Sequence, residues 1–183
     1  MNLLEPGSII AAIRTQEEFD AALKSDVTTI FDLSPDLLTI KKRLDRAHES
    51  GKQMLIHLDL ASGLGKDKSG MVYVRHIGVD GIISTRANLI RTAHELGMFT
   101  VQRFFAVDSH SVETALETLK GSKADMIEIM PGIALSPIRR LCRMQQIPVI
   151  AGGLIDDEDA ASAAFDAGAT AISTGKQSLW NKA

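Results

Sequence analysis

Short runs of Ile, Val and other apolar residues alternate along the chain with longer stretches whose apolar positions recur at helical spacing. The runs are SIIAAI, VTTIFDL, QMLIHLDL, GIIS, FTVQRFF, MIEIM, PVIAGG and TAIST. Between them lie EEFDAALKS, LLTIKKRLDRAHES, KSGMVYVRHIGV, RANLIRTAHELG, SVETALETLKG, SPIRRLCRMQQ and DDEDAASAAFDAG. The first set reads as strands and the second as helices. Strands separated by helices pair in parallel, because parallel neighbours need a crossover. Gly51, Gly97, Gly121 and Gly168 each follow a helical pattern, where a left-handed C-cap is expected.

This order predicts an α/β chain folded as a compact (β/α)8 TIM-type barrel. At 183 residues it is shorter than the ~200 usually seen, so the helices must be short. After Gly175 only KQSLWNKA remains, so the last helix is truncated to no more than about two turns. An open doubly wound sheet is the rival architecture. Ser173-Thr174-Gly175, which reads as the end of a last barrel strand, favours the barrel. No shift in composition, repeat or low-complexity tract divides residues 1–183, so a single barrel domain is expected.

Composition narrows the function classes. A hydrophobic content of 45% with only 4% aromatic predicts a core packed on aliphatic side chains. The formal net charge of -3 gives no whole-molecule attraction for nucleic acid, so any such contact needs a local basic patch. No apolar run approaches the ~20 residues of a membrane span. The N-terminus MNLLEPGSII lacks a basic segment before a long apolar one. A soluble, cytoplasmic protein is expected. Cys142, the lone cysteine, can form no intramolecular disulfide and is expected to be a half-buried structural thiol. His48, His57, His76, His94 and His110 show no ligand spacing, so no metal and no cofactor are expected.

In such barrels ligands bind at the C-terminal ends of the strands. Those ends carry Arg14, Asp32, Asp59, Ser84, Arg103, Glu128, Gly152 and Ser173. Along HLDL, His57 and Asp59 are expected to share a face, because strand side chains alternate. Glu128 and Arg103 each interrupt an apolar run, which a buried parallel strand does not do without cost. On consecutive strands they are placed to pair across the mouth, either as an ordering ion pair or as ligand contacts. Asp32 reads as the cap of the turn before Ser34-Pro35.

Gly152 and Gly153 carry no Cβ, so their N–H groups can approach an anion. Those of Ser173, Thr174 and Gly175 join them at the start of the last helix, whose partial positive charge favours phosphate. Lys176 lies just beyond. The loop DLASGLGKDKSG carries Lys66 and Lys68 among glycines and suits a lid, but it does not match a P-loop. The Schiff-base lysine expected on the sixth strand of an aldolase is absent: position 128 is Glu.

HLDLASGLGKDKSG, DGIISTR, VQRFFAVDS, DMIEIMPG and IPVIAGGLID followed by AISTG, in that order, resemble the glycerol-3-phosphate-responsive antiterminators, regulators of bacterial glycerol-uptake operons. The resemblance runs from IIAAIR to the last strand. It implies a regulator, not an enzyme, that binds glycerol 3-phosphate as effector and acts on leader mRNA to promote antitermination of glycerol-catabolic genes. It implies phosphate binding at Gly152, Gly153, Ser173, Thr174 and Gly175, with Asp59, Arg103 and Glu128 as candidates for the glycerol hydroxyls; Lys66, from the loop above Asp59, is a further candidate polar contact. RNA binding is implied by the family and only permitted by the residues. Candidate contacts are Lys41, Lys42, Arg43 and Arg46 on the second helix and Arg139, Arg140 and Arg143 on the sixth. These helices lie on opposite sides of an eightfold barrel, and a homo-oligomer would line them up. Tyr73 and Trp180 are the only Tyr and Trp available for base stacking. Two alternatives stay open. One is a small barrel enzyme acting on a phosphorylated triose with Glu128 or Asp59 as general base. The other is a metabolite-binding barrel acting through a protein partner.

Overall fold

Eight parallel strands close on themselves in chain order in the computed structural model, which describes residues 4–181. They are β1 (Ser8–Ile13), β2 (Thr29–Asp32), β3 (Gln53–His57), β4 (Gly81–Ser84), β5 (Phe99–Phe105), β6 (Met126–Met130), β7 (Val149–Gly152) and β8 (Ala171–Thr174). The helices between them are α1 (Gln16–Lys24), α2 (Ile40–Glu49), α3 (Lys68–His76), α4 (Ala87–Glu95), α5 (Ser109–Leu119), α6 (Leu135–Met144) and α7 (Glu158–Asp166). The predicted (β/α)8 barrel with shortened helices is therefore what the chain forms.

Strand alternation divides the core. Ile10, Phe31, Leu55, Ile83, Val101, Met126, Ile150 and Ala171 fill the barrel interior. Their neighbours one position along, such as Ile30, Ile56, Ile82, Ile127 and Ile172, face outward and pack under the helices. The interior is mainly aliphatic, with Phe31 buried in it and Phe99 packed against it, in keeping with the composition.

Three of the four predicted glycine caps take the left-handed conformation: Gly51 at φ 69°, Gly97 at 74° and Gly168 at 106°. Gly121 does not. There the N–H groups of Lys120, Gly121 and Ser122 each reach the carbonyl three residues back, so α5 unwinds through a right-handed turn. The third strand is also shorter than its apolar run. It ends at His57, and Leu58–Leu60 form a 3₁₀ turn, which takes Asp59 off the strand face it was expected to share.

After β8 only a 3₁₀ turn, Gln177–Leu179, remains of the last helix. Trp180 completes the wall instead. It is buried, its Nε1 donates to the Thr174 carbonyl at 2.9 Å, and its carbonyl accepts from Asp26 N–H at 3.2 Å. Cys142 is half-buried as expected, with its thiol donating to the Gly168 carbonyl. Among the described residues no helix is long and apolar enough to cross a membrane.

Candidate functional site

One step toward the C-terminal mouth from the apolar interior, the same strand faces turn polar. His57 follows Leu55 on β3, Arg103 follows Val101 on β5, Glu128 follows Met126 on β6, and Ser173 follows Ala171 on β8. Arg103 and Glu128 stand opposite each other in the ladder, as do Gly152 and Ser173. Arg103 Nε donates to Glu128 Oε2 at 2.6 Å, with both side chains almost wholly buried. Ser173 Oγ donates to the other carboxylate oxygen. The Arg103 Nη groups make no hydrogen bond among the described residues, so part of the fork is unspent at the floor of the mouth. Removing two charges from water costs several kcal/mol per ion before their attraction is counted.

Gly152 has a more specific role than backbone approach to an anion. A Cβ there would lie 2.3 Å from Glu128 Oε1 and 2.7 Å from Ser173 Oγ. The missing side chain is the space in which the Glu128 carboxylate sits.

Asp59 reaches the mouth from the 3₁₀ turn and is heavily engaged. It accepts from Ser84 Oγ at 3.0 and 3.1 Å, from Thr85 N–H at 2.7 Å and from Thr85 Oγ1 at 3.0 Å, and it pairs with Arg86 Nε at 3.1 Å. Burial pushes its carboxyl up, but the N–H of Thr85 and the hydroxyls of Ser84 and Thr85 outweigh this and hold it below the usual carboxylate range. Its evident work is to fix the β4–α4 loop.

His57, which sequence reasoning placed near the mouth without a role, is 3% exposed, and its Nδ1 has no hydrogen-bond partner. Burial, with the Arg103 guanidinium, lowers its pKa from 6.5 to about 4, against the opposing pull of Asp59 and Glu128. An unfolded chain binds this proton near pH 6.5 while the folded one does not until about 4, so stability falls as pH falls through that window. The loss amounts to about 3 kcal/mol. Urea unfolding of wild type and His57→Leu should diverge by that amount between pH 7 and 4, with the variant spared. A difference that does not change with pH would remove this reading of the imidazole.

The loops above the floor are tied to each other. Gly132 N–H donates to the carbonyls of Gly152 and Gly153 at 2.7 and 2.9 Å. A Cβ on Gly132 would lie 2.6 Å from Ile155 Cδ1 and 3.0 Å from Gly152 N, so the MPG and AGGLI segments approach closely here. Thr174 Oγ1 donates to the Ile155 carbonyl at 2.7 Å and accepts from Lys176 N–H at 3.0 Å. The Thr174 hydroxyl is thus spent on the β7–β8 junction, and Gly153 N–H makes only a long 3.4 Å contact to the Ser173 carbonyl. The N–H groups of Leu154 and Gly175 make no hydrogen bond among the described residues. Leu154 was missed at the sequence level; it is held at φ 59°, strained for a branched residue, with its side chain exposed. The expected helix dipole at this point is lacking, because the last helix is only a 3₁₀ turn.

The remaining candidates lie apart. Lys66 is exposed on the loop after β3 and makes no hydrogen bond or ion pair among the described residues. That loop is pinned to its neighbour, with Ser62 N–H on the Pro35 carbonyl and Leu37 N–H on the Ser62 carbonyl. Lys68 has passed into α3. On α2, Arg43 turns inward to Asp32 at 2.9 Å and lies over Phe19, so it is not presented on the outer face. Asp32 also caps Ser34 N–H as expected. Arg46 pairs with Asp20 and Lys41 with Asp45, leaving Lys42 exposed without an ion pair among the described residues. On α6, Arg140 reaches Glu113 at 3.5 Å, while Arg139 and Arg143 line an open depression of about 370 Å³ with Met144. A larger depression, about 650 Å³, opens at the opposite end of the barrel, between Gly7, Asp26, Gln53 and Trp180. Among the described residues no cluster of three or more His, Cys, Asp or Glu could hold a metal ion.

Eight parallel strands closed in chain order, with Arg103, Glu128 and Ser173 bonded together at their C-terminal ends, define a (β/α)8 barrel of the TIM type. The family model for the glycerol-3-phosphate responsive antiterminators matches residues 9–180, and the chain belongs to that family. A crystal structure of the glycerol uptake operon antiterminator regulatory protein of Listeria monocytogenes is 33% identical, covers 94% of each chain and superposes with a TM-score of 0.89. A glycerol uptake operon antiterminator-related protein of Thermotoga maritima is 30% identical over 96% of this chain and 98% of its own, with a TM-score of 0.85. The uncharacterized protein YgcP of Escherichia coli K12 is 32% identical over all of this chain and 96% of its own. Barrel enzymes, aldolases among them, also superpose at 16% identity or less, a likeness of fold alone.

Proposed function

We propose that the protein senses glycerol 3-phosphate at the C-terminal mouth of the barrel and, when it is bound, engages leader RNA to favour antitermination. The observation that carries the reading is the buried Arg103–Glu128 pair, whose unspent guanidinium lies under the glycine loops of a family named for this effector. The phosphate lies against the open N–H groups of Leu154 and Gly175, with Gly153 close by. The glycerol hydroxyls descend to the Arg103–Glu128 floor, where a fork and a carboxylate suit groups that both donate and accept. Ser173 and Gly152 hold that carboxylate in place, and Lys66 adds charge from the neighbouring loop. RNA meets exposed cations, Arg139 and Arg143 on α6 foremost and Lys42 on α2, in copies of the chain that bring these faces together.

Sensing is favoured over catalysis because no candidate base is poised. Both oxygens of Glu128 are bonded, Asp59 is held ionised by three donors, and His57 is a weak base at about 4. The test is the electrophoretic mobility of a transcript carrying the leader of the glycerol genes from the same genome, at low salt, with and without glycerol 3-phosphate. A shift that appears or tightens with ligand is expected. No binding in either condition ends the regulator reading, and turnover assays on phosphorylated trioses then decide for the enzyme.

A further inference from the structure

Three hydrogen-bonding acceptors stand at the floor of the mouth, and they differ in how much capacity is left. Asp59 is committed to Ser84, Thr85 and Arg86. Glu128 already accepts from Arg103 and Ser173, one bond at each oxygen. His57 is 3% exposed and its Nδ1 bonds to nothing among the described residues. An imidazole nitrogen buried without a partner costs the folded protein its desolvation penalty with no return. Groups of this kind are rare in folded proteins and call for an explanation. The residues one step deeper on the interior face, Leu55, Ile83 and Val101, are aliphatic, and the charged groups that act on the ring, Arg103, Asp59 and Glu128, make no hydrogen bond to its Nδ1.

We infer that His57 is a specificity-determining residue of the sensing site, completed only when a hydroxyl of the bound polyol phosphate hydrogen-bonds its free imidazole nitrogen. This rests on the reading that the mouth binds glycerol 3-phosphate, and it assigns that site a residue for telling alcohols apart. The ring is neutral at neutral pH, because burial and the Arg103 guanidinium outweigh Asp59 and Glu128. A neutral imidazole serves a hydroxyl in either tautomer, since the hydroxyl both donates and accepts. A ligand lacking that hydroxyl leaves the nitrogen stranded, and a site of this construction rejects such a ligand strongly. The apo protein therefore carries an unsatisfied group that the correct effector, and no analogue lacking that one hydroxyl, relieves.

The experiment compares wild type, His57→Leu and His57→Gln by thermal melting and by calorimetric titration with three ligands. These are glycerol 3-phosphate, 3-hydroxypropyl phosphate, which lacks the central hydroxyl, and 2-hydroxypropyl phosphate, which lacks the terminal one. Wild type should prefer glycerol 3-phosphate over one of the deoxy ligands by roughly 10- to 100-fold. In His57→Leu that preference should collapse to within a few-fold, while the preference over the other analogue stays. His57→Gln, which keeps a hydrogen-bonding group, should retain part of the preference. His57→Leu should also melt no lower than wild type at pH 7, because it removes an unpaired polar group from the interior. If His57→Leu weakens all three ligands equally, or melts well below wild type, His57 is structural and the inference is overturned. Should wild type bind none of the three phosphates, it is the sensing reading itself that fails.

Discussion

A protein carrying Arg103→Leu and Glu128→Leu together, with Ser173→Ala, is expected to stay folded and to lose glycerol 3-phosphate binding. Glu128→Leu alone should cost about 3–5 kcal/mol, because it leaves the Arg103 guanidinium buried with no counter-charge. Replacing both partners by apolar side chains removes the desolvation cost along with the attraction, so the combined variant should recover most of that loss. Ser173→Ala accompanies them because Ser173 Oγ otherwise loses the carboxylate it donates to. Urea unfolding reads the first effect and calorimetry the second. A recovered fold that still binds ligand within a few-fold of wild type would reduce the pair to architecture. This comparison separates the two roles that the sequence left open for Arg103 and Glu128.

Gly152→Ala is the second large effect. Its Cβ has no room that does not belong to Glu128 Oε1 or Ser173 Oγ, and neither is the end of a free-swinging chain: both are held by their own hydrogen bonds. Overpacking of this kind costs about 1–3 kcal/mol. The displaced carboxylate should also drop ligand affinity by at least roughly 10-fold, through the geometry it loses with the ligand hydroxyls. The result is read by thermal melting and calorimetry. Unchanged affinity would show that the carboxylate can move without consequence for the site. Gly153 is a poorer probe, because its φ of 78° and the Met130 Cε 2.7 Å from its would-be Cβ strain any replacement before charge enters.

The barrel was legible because each strand is a short, mainly apolar run and each helix carries its own period. The Arg103–Glu128 pair was legible for the complementary reason: charges that break such runs on neighbouring strands have only each other to face. What sequence could not supply depends on where loops meet. The third strand ends early, and Asp59 bonds instead to Ser84 at the end of β4 and Thr85 just after it, residues 25 and 26 positions away. Gly152 looked like an anion loop, and only three dimensions show that Glu128 fills its space. Arg43 sits among exposed cations in the helical pattern, yet buried Asp32 pulls it inward. Leu154 has no local signal for a positive φ beyond following two glycines. His57 is the sharpest case, since being without a partner is a property no linear pattern encodes.

The central claim, that ligand at the mouth controls RNA engagement, meets its most direct test in one titration. Leader RNA is shifted by wild type and by the Arg103→Leu, Glu128→Leu, Ser173→Ala protein, each with and without glycerol 3-phosphate. The account predicts that ligand tightens RNA binding by wild type, leaves the variant's binding unchanged, and is recovered chemically intact. Equal RNA binding by wild type with and without ligand, or consumption of the ligand during the incubation, would contradict it.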